Sequence, residues 1–317
     1  MKYLGSLLLM ASLLVVSRTP RESEAQDKPL PDKPAIAATV QGQPITVNQL
    51  EREFKTVIKD REIDAEGRTE LQKQVLALAV DRRLVLHWLQ QTNQSASDQD
   101  LDLLLARLTK KLENEGRKLP DYLQQQGQTE AEFRTQQLWE LSWQKYLDRY
   151  LTEVNLQKFF DKNRRDFDGT ELRVAHILLA APKNGSAEEW TKQLEQAAAI
   201  RADIVAQKIS FADAAKQHSS SPTAAAGGDI GWIKRRDPMP ESFSATAFKL
   251  EPGEVSQPVE TAFGVHLITC QEVKTGKLTW KDSADDLRPA IIRYLFRWIA
   301  DKERTAAKIE YTDLWPH

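Results

Sequence analysis

Cysteine is nearly missing from the chain: Cys270 is the single one in 317 residues. A lone cysteine closes no internal disulfide, so the fold must be held by core burial and not by covalent staples. It lies in an apolar strand pattern, "GVHLITCQEV", and reads as a small buried hydrophobe with no catalytic role. An excess of charge is missing too, with 44 Lys and Arg against 46 Asp and Glu and a formal net charge of −2. That balance argues against nucleic acid or an anionic membrane as a bulk electrostatic partner. No His or carboxylate pair has metal-ligand spacing, and no cofactor is implied. Long hydrophobic runs are confined to one, Tyr3 to Val16, behind a lone Lys2. It is too short for a stable membrane span and suits the apolar region of a secretory signal. Ser23 to Ala25 and Val15 to Ser17 are two candidate cleavage sites, and no cysteine follows for lipid attachment. Residues 1–25 are therefore expected to direct the protein out of the cytoplasm, to a periplasm or the medium.

What is present is an ordinary globular mixture, 41% hydrophobic and 28% charged, with enough apolar material for a sizeable core. Residues 26–34, "QDKPLPDKP", are rich in proline and charge and read as a tether. "AIAATVQGQPIT" reads as a short strand closed by a turn at Gly42-Gln43-Pro44, with Thr46 as an N-cap three residues before Gln49. From there to about Asn163 the apolar period is helical: Leu50, Phe54 and Val57, then Leu71, Val75, Leu78, Arg82 and Leu86, then Leu101, Leu104, Leu105, Leu108 and Leu112. Thr129 with Glu132 forms a capping box ahead of a further helix.

Near "ELRVAHILLA" the period changes. Leu172 to Leu179 read as a strand, "PKNGS" as a loop, Glu188 to Gln207 as a helix, and Ser210 as the cap of a short helix ending near His218. A strand from Asp229 to Ile233, a short helix from Glu241 to Lys249 and two more extended pieces complete an α+β unit of ordinary domain size. Asp285 to Ala307 is helical again, and "KIEYTD" is a candidate terminal strand. A lone helix cannot bury its apolar stripe, so this segment is expected to pack back on the N-terminal helices.

The run "QHSSSPTAAAGGDIGW", Gln217 to Trp232, invites two chemical readings that its context does not support. Ser219, Ser220 and Ser221 lack the strand-elbow setting of a Gly-x-Ser-x-Gly hydrolase, and Gly227-Gly228 is not followed by the helix and lysine of a phosphate loop. "KRRD", Lys234 to Asp237, is a solvated surface run or a reader of acidic residues beside a substrate.

"VAHILL", "GGDIGW" and "MPESFSATAFKLEPGEVSQPVETAFGVHLI" occur in order across Glu171 to Val273 and resemble the parvulin family of peptidyl-prolyl cis/trans isomerases. The flanking helices look like the chaperone domain of extracytoplasmic foldases of the SurA and PrsA kind. The resemblance implies an α+β fold, with a four-stranded antiparallel parvulin domain (170–275) inserted in an all-α chaperone-like domain built from residues 35–169 and 276–317. It implies a catalytic group of His176, Ser221, Thr261 and His266, a proline pocket of Ile230, Met239 and Phe243, and Phe263 lining the substrate. Parvulins carry Cys or Asp where this chain has Ser221. The implied partners are unfolded or incoming polypeptides containing Xaa-Pro. Two functions remain open, an exported isomerase with chaperone activity and a holdase whose parvulin unit only binds. Truncating Met239 or Phe243 is expected to weaken peptide binding without unfolding the protein.

Overall fold

A computed structural model describes residues 34–59, 61–181, 186–237 and 239–317. The expected signal sequence, the expected tether up to its last residue, and most of the "PKNGS" loop lie outside the described residues. The chain forms two compact units, one running from Glu153 to Pro289 and the other combining residues through Thr152 with Ala290 to His317.

The flanking unit begins with a hairpin of β1 (Ile36–Val40) and β2 (Gln43–Thr46). The turn is not at Gly42-Gln43-Pro44 as expected. It lies at Gln41 and Gly42, both at positive φ (51° and 76°), the paired left-handed conformation of a two-residue hairpin. Pro44 falls inside β2 opposite Thr39, on an edge strand, where a residue lacking an N–H is tolerated. Thr46 caps α1 (Val47–Ile58), its hydroxyl accepting the Gln49 N–H at 3.1 Å. Then follow α2 (Ala65–Gln91), α3 (Asp98–Asn114), α4 (Leu119–Gln125) and α5 (Glu130–Tyr150), the last opened by the Thr129–Glu132 capping box. The apolar stripes are buried at Leu50, Phe54, Leu71, Val75, Leu78, Leu86, Leu101, Leu105 and Leu112. Arg82, on the α2 stripe, ends in an ion pair with Glu53 at 2.8 Å.

The central unit contains α6 (Glu153–Lys162), α7 (Arg164–Phe167), β3 (Glu171–Ala180), α8 (Ala187–Val205), α9 (Phe211–His218), β4 (Asp229–Lys234), α10 (Glu241–Ala247), β5 (Val259–Thr261) and β6 (Gly264–Lys274). Its four strands form an antiparallel sheet in the order β4-β3-β6-β5. Successive side chains of a strand point to opposite faces, and here both faces are covered. Leu172, Val174, Ile268 and Cys270 share one core with Phe243, Ala247 and Phe248. Ile177, Leu179, Val265 and Leu267 share the other with Ala197 and Ile200 of α8 and Ala214 and Ala215 of α9. Double coverage explains why "VAHILL" reads as a continuous apolar run and not as a polar alternation.

The chain ends in α11 (Ala284–Arg304) and β7 (Ile309–Tyr311), and β7 pairs antiparallel with β1. The flanking unit is therefore not all-α as expected: the strands read at its two ends join in a small sheet, β2-β1-β7. Short strands that pair across most of the chain leave no local pattern beyond a few apolar residues. Within this unit Ile291, Leu295 and Ile299 of α11 are fully or nearly fully buried.

Leu295→Ala should destabilise the flanking unit by about 2–5 kcal/mol, the usual loss for a buried leucine. Native-state hydrogen exchange is the measurement. Protection should fall in α2 and α5 and stay unchanged in β3 and β6; a uniform fall, or none, would contradict the assignment of α11 from Ala290 onward to the flanking unit.

Candidate functional site

The site is set by the register of β3 against β6. His176 pairs with Ile268 and Leu178 pairs with His266, so the two histidines lie diagonally on one face of the sheet. Their rings stack with centroids 5.4 Å apart, and the two Nδ1 atoms are 3.2 Å apart. On the outer sides, His176 Nε2 lies 2.8 Å from Ser221 Oγ, and His266 Nε2 lies 2.8 Å from Thr261 Oγ1. Ser221 Oγ also lies 3.0 Å from Thr223 Oγ1. The four residues assigned to catalysis from the sequence thus form one hydrogen-bonded row, with Thr223 as an end member that the sequence did not reveal.

Burial decides the protonation of that row. His176 and His266 are 8% and 3% exposed. Burial, with the neighbouring His176 second, pushes the His266 imidazole down to about 4, and burial alone holds His176 below the ordinary histidine range. Both rings are therefore neutral at neutral pH. A neutral imidazole has one donor and one acceptor nitrogen, and a single proton fits between the two Nδ1 atoms. The rings must then take complementary tautomers, which leaves two complete settings. In one, Ser221 donates to His176, His176 to His266, and His266 to Thr261. In the other every bond runs the opposite way. All four ring nitrogens are used in both, and none faces a carboxylate, so Ser221 and His176 lack the orienting acid of a hydrolytic triad.

The serine run has a structural task at the open edge of β3. β4 pairs with β3 only as far as Ala175 opposite Asp229. Beyond that point the segment after α9 completes the edge. Gly228 O accepts the His176 N–H at 2.9 Å, the Ser220 N–H donates to Leu178 O at 2.7 Å, and Ser219 Oγ accepts the Leu178 N–H at 3.0 Å. Gly228 sits at φ +82°, and a Cβ there would fall on the His176 carbonyl, which is backbone and cannot give way. The same stretch therefore seats His176 and delivers Ser221 to it.

The apolar side of the site is built on α10. Phe243 is fully buried and meets both imidazoles edge-on, with centroids 5.8 Å from His176 and 5.4 Å from His266. Ile230 and Met239 are half-buried against the same core. Phe263 is 63% exposed in the turn between β5 and β6, its N–H donating to Thr261 Oγ1 at 3.0 Å. α10 is tied down at both sides, by Arg235 on Glu241 (2.9 and 2.6 Å) and by Ser242 Oγ on Glu260 O (2.9 Å). The complete burial of Phe243 corrects one expectation: truncating it removes core, at about 3–5 kcal/mol, so of the two truncations Met239→Ala is the one that tests the expected pocket with little loss of core.

"KRRD" is engaged within its own unit. Arg235 also bonds Asp166 at 3.1 Å, Arg236 pairs with Asp286 and lies over the Phe167 ring, and Lys234 lies 3.8 Å from Glu171. His218 is exposed at the end of α9, and Cys270 is fully buried, where burial pushes its thiol up. Among the described residues no group of three or more His, Cys, Asp or Glu is arranged to hold a metal ion. No described helix is long and apolar enough to cross a membrane.

Residues 176–272 match the PPIC-type PPIASE domain of the Rotamase family, and residues 7–147 match the SurA-like N-terminal domain. The protein named Chaperone SurA of Chromohalobacter salexigens is 27% identical over 277 residues, covering 84% of this chain and 62% of that protein. The foldase protein PrsA of Bacillus subtilis is 37% identical over 122 residues, covering 38% of this chain and 36% of that protein. A solved PpiC-type peptidyl-prolyl cis-trans isomerase domain is 31% identical over 34% of this chain and 95% of that domain, with a TM-score of 0.31. The chain thus spans 62% of the length of the SurA protein it matches.

Both buried histidines bind protons more weakly than in an unfolded chain, so unfolding takes up protons below about pH 6.5. The stability this gives the central unit is fully present above about pH 6.5 and is lost progressively as pH falls toward 4. Urea unfolding followed at β3 and β6 amides should show a falling midpoint between pH 6.5 and 5, and His266→Gln should flatten that slope. A slope unchanged by His266→Gln would place its origin elsewhere.

Proposed function

We propose, from a chain that carries a PPIC-type PPIase domain at 176–272 and a SurA-like N-terminal domain at 7–147, that the protein is an exported chaperone that rotates Xaa-Pro bonds in unfolded polypeptides. Rotation about an Xaa-Pro bond crosses a barrier of roughly 18–20 kcal/mol because amide conjugation is lost at the twisted midpoint. No bond to carbon breaks, so neither a nucleophile nor a cofactor is needed. A catalyst needs an apolar slot for the pyrrolidine ring and hydrogen-bonding groups that favour the twisted amide over the planar one.

The observation that carries this reading is the neutral row Ser221–His176–His266–Thr261 lying against Phe243. In our assignment the half-buried Ile230 and Met239 hold the proline, the fully buried Phe243 backs their slot from within the core, and Phe263 touches the flanking substrate chain. Ser221 and Thr261 give or take a hydrogen bond at the rotating amide, while His176 and His266 set the direction of both hydroxyls. We assign the isomerase domain to 170–275 and the chaperone domain to 35–169 with 276–317; of the latter, residues 153–169 and 276–289 share the compact unit Glu153–Pro289 with the isomerase domain. Residues 1–25 carry the apolar run that supports export.

A second reading, a holdase without useful turnover, is favoured by one feature. Ser221 is uncharged where parvulins have Cys or Asp. Two-dimensional NMR exchange on an Ala-Pro peptide separates the two, with faster cis/trans exchange at substoichiometric protein expected. No acceleration at stoichiometric protein, with aggregation of a denatured client still suppressed, would leave the holdase reading. Met239→Ala should raise KM several-fold with the thermal midpoint unchanged; unaltered kinetics would remove Met239 from the pocket.

A further inference from the structure

We propose that Ser219 is a positioning residue for the isomerase reaction, acting through Ser221; this rests on the isomerase reading above. Ser219 follows the last residue of α9, and its own N–H donates to Ala215 O at 2.9 Å, so its backbone is fixed by the helix it terminates. Its hydroxyl oxygen accepts two backbone N–H groups, from Leu178 at 3.0 Å and from Ser221 at 3.2 Å. Leu178 is the β3 residue that pairs with His266, two positions beyond His176. A single oxygen therefore links the strand that carries His176 to the residue that bonds His176 on its outer side.

The geometry gives this oxygen the part that a neighbouring strand's carbonyl would otherwise play. β4 no longer covers β3 at Leu178, and a side chain substitutes for the missing ladder partner. Because the second N–H it accepts is that of Ser221, the same oxygen sets where the 221 backbone leaves the sheet edge. That in turn sets the 2.8 Å approach of Ser221 Oγ to His176 Nε2. Removing the oxygen leaves two N–H groups without their acceptor and frees Ser221 to shift relative to the imidazole. A shift of about 1 Å is enough to slow a step that depends on a positioned hydrogen bond. Ser220 has no such role through its side chain, since only its backbone N–H is engaged with β3 and the residue is exposed. The three serines are thus not equivalent: the first positions, the second pairs through its backbone, and the third faces the amide.

The experiment is steady-state exchange of an Ala-Ala-Pro-Phe peptide by NMR on the full chain, with Ser219→Ala, Ser219→Cys and Ser219→Thr compared with wild type. Ser219→Ala should lower kcat about tenfold with KM within about twofold, the size of one lost hydrogen bond in the reacting geometry. Ser219→Thr keeps the hydroxyl and should return kcat to within about twofold of wild type, while Ser219→Cys, a weaker acceptor, should lie between. If Ser219→Ala does not fold, the comparison of Cys with Thr carries the same test. A purely structural serine predicts a lower thermal midpoint with kcat unchanged, and that result overturns the proposal. A wild-type protein that fails to accelerate exchange sinks the isomerase reading itself. An active wild type with kcat unmoved by all three substitutions sinks only the role of Ser219.

Discussion

The antiparallel register between β3 and β6 is the constraint on which the site depends. It sets Leu178 opposite His266 and Ile268 opposite His176, which is why two residues ninety positions apart can share a face at ring-stacking distance. A slip of one residue would turn His176 to the face occupied by α8 and α9, where Ile177 and Leu179 now pack. The hydrophobic pattern guards against that slip from both sides, because each face of the sheet has its own apolar core. The catalytic geometry we assign is therefore held by the same contacts that hold the domain.

Burying two imidazoles beside each other is costly unless every nitrogen finds a partner. The arrangement meets that condition with hydroxyls in place of charges. Ser221 and Thr261 occupy the two outer nitrogens, Phe243 covers the rings edge-on, and the inner nitrogens serve each other. The consequence is a polar floor without net charge in an apolar surround. Such a floor suits a reaction that moves no proton and breaks no bond, and it suits hydrolysis poorly.

Much of this was legible in the chain. The Thr129 capping box, the Thr46 and Ser210 caps, the helical stripes and the order of strands and helices in the central unit follow from local periodicity and cap residues. The residues of the site came from motif resemblance, because nothing local says that His176 and His266 meet. What escaped the sequence was non-local. The Gln41-Gly42 turn starts one residue before the expected Gly42-Gln43-Pro44, because Pro44 suggests turn chemistry when an edge strand tolerates it. The pairing of β7 with β1 left no periodic trace. Arg235 looked like part of a basic surface run, yet its guanidinium is spent on Glu241 and Asp166. Ser221 stood apart from its two neighbours by motif resemblance, but Ser219 had no role until the open edge of β3 showed what its oxygen accepts.

The occupant of position 221 decides how the row of hydrogen bonds can be ordered. A carboxylate accepts and does not donate, so an aspartate there would fix the His176 Nε2 proton toward itself and, through the shared Nδ1 contact, force the Thr261 hydroxyl to donate inward. It would also favour an imidazolium at His176, working against the burial that keeps the ring neutral. A hydroxyl gives or takes with equal ease. With Ser221 and Thr261 at the two ends, the row can reverse as a unit while every nitrogen stays bonded. Serine thus exchanges the electrostatic bias of the acid for a neutral row with two settings. What must then be held by other means is the position of the hydroxyl itself, because no ion pair anchors it, and in this fold that anchoring falls to the backbone around Gly228 and to the oxygen of Ser219.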